Sequence, residues 1–164
     1  MRTMFIQYFG QVELPLDEVE ALLPDVLSRV GGLSEGSYRA GEALRARVDV
    51  GPQRSLVAKT MTLKVSEPAR GNAAIRVPLT WEATGTPGLF PVMRADLVMA
   101  RLGNQVTQVK FEGSYDPPLG SIGQLLDRAV LHRVSELSVK SLVDQIIAML
   151  AAGPRSTSTP GTAA

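Results

Sequence analysis

His132 is the single histidine among 164 residues, and it is the natural suspect for acid–base work. A dyad built on it needs a carboxylate within hydrogen-bond reach. Glu136, one helical turn on, supplies one, but it is placed equally well to pair with Lys140. Arg94 follows the Leu89-Phe90-Pro91 segment and flanks a strand. A guanidinium there can grip a ligand carboxylate through two hydrogen bonds or simply face solvent. The Tyr115 hydroxyl can bond a ligand oxygen or close the exit of its strand. Catalysis requires at least two such groups to converge, and Arg94, Tyr115 and His132 are the best available. Helical stepping puts His132 off the apolar stripe of its segment's first half, which favours a solvated or rim position.

Metal and phosphate chemistry find less. There are no cysteines, so disulfides, thiolate metal sites and cysteine nucleophiles are excluded together, and one histidine leaves an imidazole metal site short of ligands. Asp17, Glu18 and Glu20 are spaced as a helix start and a polar face, not as a metal cluster. Gly120-Ser121-Ile122-Gly123 lacks the lysine and spacing of a phosphate-binding loop and reads as a turn with an N-cap at Ser121. No cofactor and no metal are expected.

Charged residues make up 20% of the chain and the net charge is +1, so no global field favours nucleic acid. No apolar run reaches the roughly 18 residues that span a bilayer. The start, Met1 to Tyr8, has no apolar core of a signal peptide. The expectation is a cytoplasmic protein without stable membrane insertion: one domain over 1–152, and a tail over 153–164 disordered by composition.

The elements that must position these residues follow from periodicity. A first strand covers 3–14. Asp17 and Glu20 have the spacing of a capping box, and Pro24 splits the next segment into two short helices, 17–23 and 24–30, ended by Gly31-Gly32. Alternation with period two then marks strands over 44–50, 55–66 and 75–82, the last carrying the conflict of a proline, Pro78, inside a ladder. Further strands cover 93–99 and 108–115, joined through Gly103-Asn104, a tight hairpin signal. Pro117-Pro118 stops the ladder, and a long amphipathic helix runs over 121–151. Its late apolar set, Leu142, Val143, Ile146, Ile147 and Leu150, is rotated from the early one, so it meets the short helices or another chain.

This order resembles the helix-grip (SRPBCC) superfamily of START domains, birch-pollen-allergen-like proteins and bacterial polyketide cyclase/dehydrase-like proteins. The resemblance spans about 3–150. It is most specific at Trp81-Glu82-Ala83, Leu89-Phe90-Pro91, Gly113 through Gly120 and Asp127 through Arg133, which look like actinobacterial polyketide cyclase/dehydrase-like members. It implies an α+β fold: a curved antiparallel sheet of six to seven strands, two short helices and a long C-terminal helix gripped over a mostly apolar cavity. No catalytic motif of the family is present to carry over.

The inner sheet face is then both core and pocket wall. Its candidate ligand-binding residues are Met61 and Leu63; Val77, Leu79 and Trp81; Met93, Leu97 and Met99; Phe111 and Tyr115; and, from the helix, Leu126 and Val130. Methionines adapt to irregular shapes, and the lone tryptophan offers a large aromatic surface with one N–H. Three functions compete. The first is non-catalytic binding of a small hydrophobic molecule, a lipid or polyketide-like metabolite. The second is an aromatase/cyclase-like enzyme acting on a polyketide-type intermediate. The third is a partner-binding module, as monomer or homodimer.

Overall fold

The computed structural model describes residues 3–30, 60–84, 92–116 and 128–153. The expected strand over 44–50, the Gly31-Gly32 stop, the Leu89-Phe90-Pro91 segment, the Ser121 cap, Leu126 and the tail from 154 lie outside the described residues. Within them the fold is α+β and helix-grip-like. The strands are β1 (Met4–Val12), β2 (Thr60–Val65), β3 (Ala69–Arg70), β4 (Ala74–Thr84), β5 (Met93–Arg101) and β6 (Thr107–Tyr115). The helices are α1 (Leu16–Ser28) and α2 (Arg128–Ala152).

The sheet is curved and antiparallel throughout, in the order β1-β6-β5-β4-β2, with β3 also beside β4. Alternation decides which face is buried. In β6 every odd residue from Thr107 to Tyr115 is buried and every even one is half-buried, so one face meets the helices and the other meets water. The β5–β6 connection is longer than the tight hairpin expected at Gly103-Asn104. Arg101 pairs with Thr107, and the amide of Leu102 donates to the carbonyl of Val106 at 3.0 Å, leaving a five-residue loop over 102–106.

Pro78 sits in β4 without breaking it. Its carbonyl accepts from the Ser66 amide at 2.9 Å, toward the side where β2 ends at Val65 and β3 resumes at Ala69. A residue in an antiparallel ladder points its N–H and C=O to the same neighbour. The donor that Pro78 lacks therefore faces the interruption, where no partner strand asks for it.

Two local expectations are corrected in α1. The break at Pro24 is absent: one helix runs from Leu16 to Ser28 with the proline inside. Its buried stripe, Leu16, Val19, Leu23 and Val26, passes the proline without interruption, and Pro24 itself is exposed, so water can take the Glu20 carbonyl it leaves without a donor. Nor do Asp17 and Glu20 form a capping box. The N-cap is Pro15, with no side-chain cap; Asp17 accepts from Arg101 at 3.2 Å and Glu20 from Arg70 at 2.6 Å. These carboxylates fasten α1 to the end of the sheet.

α2 packs along β1 and the neighbouring β6, and α1 fills the space between α2 and β5. Gly10 permits the closest approach: a Cβ there would lie 2.5 Å from Cδ1 of Ile147. Leu142, Val143, Ile146 and Leu150 are fully buried in the core that α1 shares, so this part of the late stripe is covered within the chain. Along α2, Lys140 pairs with Asp144 at 2.5 Å and Glu136 pairs with His132, so of the two partners open to Glu136 it takes the imidazole and not Lys140. The Tyr8 hydroxyl donates to the same Asp144 at 3.0 Å, and Lys140 lies over the Tyr8 ring, which latches α2 to β1. Gly153, at φ 68°, ends the helix in the left-handed conformation that glycine adopts most readily. No helix among the described residues is long and apolar enough to cross a membrane.

Candidate functional site

Strand register sorts the middle of the inner face into four transverse rows. The first, at the end of the sheet beside the start of α2, runs Leu63–Trp81–Met93–Tyr115–Met4. The second is Val65–Leu79–Ala95–Gly113–Ile6, the third Val77–Leu97–Phe111–Tyr8, and the fourth Ile75–Met99–Val109–Gly10. Apart from the two tyrosines, no side chain in these rows is ionisable. Val77, Leu97, Met99 and Phe111 are fully buried, Leu79, Trp81, Met93 and Tyr115 nearly so, and Leu63 partly. The fold thus brings together every described side chain of the expected ligand-binding set on the sheet. Met61 is placed by its backbone in β2, opposite Ala83, and Val130 in the first turn of α2; their side chains lie outside the described set.

The second row is the thin one. Ala95 and Gly113 stand side by side at its centre, between rows of bulky residues. A Cβ on Gly113 would lie 2.8 Å from Cε1 of Phe111 and 3.1 Å from Sδ of Met93. The ring of Phe111 and the thioether of Met93 therefore lean in from the rows on either side and cover the bare backbone.

Four polar groups, Tyr115, Ser135, His132 and Glu136, edge this face near the start of α2. The Tyr115 hydroxyl is hydrogen-bonded to Ser135. Burial pushes the phenol above its ordinary value; the Ser135 bond opposes that shift, and the nearby Glu136 carboxylate adds to it. His132 Nε2 stands 3.1 Å from Glu136 Oε1, with the imidazole one-third exposed, while its Nδ1 is enclosed and has no hydrogen-bond partner among the described residues. His132 lies two turns before Val139 and four before Ile146, both fully buried, so it continues the inward stripe of the helix at its rim.

Arg94 goes elsewhere. Its neighbours across the ladder are Thr80 and Ser114, on the outer face, opposite to the one carrying Tyr115. The three polar candidates for catalysis are therefore divided by the sheet. Sequence reasoning passed over Ser135, although its spacing from Val139, Leu142 and Ile146 marks it as inward-facing. It also passed over the Ala95–Gly113 pair, which only register reveals. No group of three or more His, Asp or Glu residues able to hold a metal occurs among the described residues.

No family model matches the sequence, and no curated protein matches it. Solved structures do resemble it in fold. A hypothetical protein from Helicobacter pylori superimposes with a TM-score of 0.51 at 12% identity, covering 88% of this chain and 86% of that one. A conserved protein from Geobacillus kaustophilus gives a TM-score of 0.50 at 14% identity, covering 89% and 94%. An aromatase/cyclase from Streptomyces sp. R1128 aligns at a TM-score of 0.44 and 14% identity, covering 91% and 94%. At these identities the first two similarities speak for the architecture alone.

Proposed function

We propose that the inner face of the sheet, beneath α2, holds a small hydrophobic molecule, of lipid or polyketide-like character, without transforming it. The observation that carries this reading is the thin second row. Ala95 and Gly113 put no bulk of their own at the centre of this face, and the space above them is filled by two side chains able to swing aside. Methionine has three rotatable bonds and adapts readily, and the Phe111 ring can follow it. The ligand would lie over Gly113, against Trp81 and Leu97, with the Tyr115–Ser135 pair at its polar end. The outward position of Arg94 supports the non-catalytic reading, because it takes a permanent cation and hydrogen-bond donor away from the inner face.

The test is energy transfer from Trp81, the single tryptophan, to the neutral lipophile N-phenyl-1-naphthylamine. Saturable quenching at one molecule per chain, weakened by Gly113→Val, is expected; an absence of saturation rejects the proposal.

A second reading, aromatase/cyclase-like catalysis, draws on the His132–Glu136 pair and the nearby Tyr115. Turnover of a polyketide-type substrate that survives both His132→Ala and Tyr115→Phe unchanged would reject it.

A further inference from the structure

The outer face of the sheet carries a recess of its own. A shallow, open trough of about 560 Å³ lies over β1, β6, β5 and β4. Its floor is the backbone of the second row, whose side chains point the other way. Above that floor stand two outward rows, Lys64–Thr80–Arg94–Ser114–Phe5, with Lys64 outside the trough's lining, and Pro78–Asp96–Glu112–Gln7. The small Ser114 separates Arg94 from Phe5, which stand two strand spacings apart, roughly 9–10 Å.

Among the charged residues that line the trough, Arg94 alone is without a counter-ion. Asp96 is bound by Arg76 at 2.6 Å. Glu112 is bound by Lys110 at 2.7 Å and accepts from Gln7 at 3.1 Å; Lys110 above all keeps its carboxyl below the ordinary value and ionised. Arg94 has no ion-pair partner among the described residues and is the one cation lining the recess; Lys64 continues its row beyond Thr80, and the exposed Asp116 lies two residues past Ser114 on the same face. Across from it the Phe5 side chain is 76% exposed, a large apolar surface held out in water by an otherwise polar row. The hydroxyls of Thr80 and Ser114 flank the guanidinium in the same row.

We propose that this trough is a second binding site, independent of the inner face, for a small ring-bearing monocarboxylate. The guanidinium of Arg94 takes the carboxylate through parallel N–H bonds, Ser114 and Thr80 donate to its remaining lone pairs, and Phe5 covers the ring. The chemistry excludes its neighbours. A neutral ring leaves Arg94 uncompensated, and a dianion brings its second charge against Asp96 and Glu112, whose own partners are already engaged. An anion without a ring gains nothing from Phe5.

The experiment is an NMR titration of the ¹⁵N-labelled full chain with sodium 2-naphthoate. Saturable shifts at the Ser114 amide and the Arg94 Nε–H are expected. Affinity should fall about tenfold or more in Arg94→Gln, fall as well in Phe5→Ser, and be about tenfold weaker for the uncharged 2-naphthalenemethanol on the wild-type chain. Both variants change exposed side chains, and an unaltered thermal midpoint would show that each is folded. Equal affinity in Arg94→Gln, or equal affinity for the alcohol, overturns the proposal, and so does the absence of saturable binding. Loss of binding in Trp81→Phe with Arg94→Gln unaffected would assign the probe to the inner face and likewise overturn it. A dimer dissolved by Arg94→Gln would show that the trough takes a second copy of the chain instead.

Discussion

Phe111 lies across Gly113, two residues on along the same strand, with its ring edge where a Cβ at 113 would have to stand, 2.8 Å away. Side chains two apart on a strand share a face, so a bulky residue beside a glycine can lean over it. Gly113→Ala should therefore force the ring and the Met93 thioether to shift, at a cost of about 1–3 kcal/mol in stability. Phe111→Leu removes the obstacle and should lower the cost of the alanine. A double-mutant cycle by urea denaturation checks this, with an expected coupling of about 0.5–3 kcal/mol.

Gly10 and Ile147 repeat the relationship between sheet and helix. The obstacle here is the far end of a flexible side chain, 2.5 Å from the built Cβ. Gly10→Ala should cost about 1 kcal/mol, and Ile147→Val should restore most of it. Gly10→Val should lift α2 from β1 and expose the latch of Tyr8 on Asp144, visible as faster amide exchange in the second half of α2.

Removing the Tyr115 hydroxyl should cost about 0.5–1.5 kcal/mol, since Ser135 then loses its partner. The sign of the pH dependence is definite. The folded phenol titrates above its ordinary value of 10.0, so the folded state holds the proton more tightly than the unfolded one. Its contribution is complete below pH 10.0 and is lost as pH rises through the folded value. Alkaline denaturation should therefore be less steep in Tyr115→Phe than in the wild-type chain.

Pro24→Ala should stabilise the protein. The proline sits inside α1, exposed, in a helix whose packing already holds its backbone in place. Alanine restores the bond to the Glu20 carbonyl and improves helix propensity, a gain of about 3 kcal/mol before the extra freedom of the unfolded chain takes back about 1. A rise in the thermal midpoint is expected, and a fall would contradict the account.

Much of this architecture was readable in the residues themselves. Period-two alternation from Ile75 to Trp81 and from Val109 to Tyr115 identified both the strands and the buried face, because a strand has only two faces to choose from. Local rules failed where tertiary contacts outweighed them. The stripe Val19–Leu23–Val26 held a helix together through Pro24, and Arg101 and Arg70 drew Asp17 and Glu20 away from capping. Glu136 had two partners at equal spacing, and the chain itself does not rank them; Asp144 decided the matter by taking Lys140. The Ala95–Gly113 gap and the outward turn of Arg94 depend on which residues stand opposite one another across strands, and one strand alone does not carry that information.

Among the described residues β2 and β3 lie outermost beside β4, and their interruption has a consequence for how the protein behaves in a crowded solution. A straight, fully bonded strand is a template on which a foreign segment can assemble. The path is cut at Ser66-Glu67-Pro68, carries the exposed charges of Lys64 and Glu67, and adjoins a strand whose proline offers no hydrogen there. Through these residues a stranger finds too few consecutive bonds to add itself, which opposes growth of the sheet into fibres here.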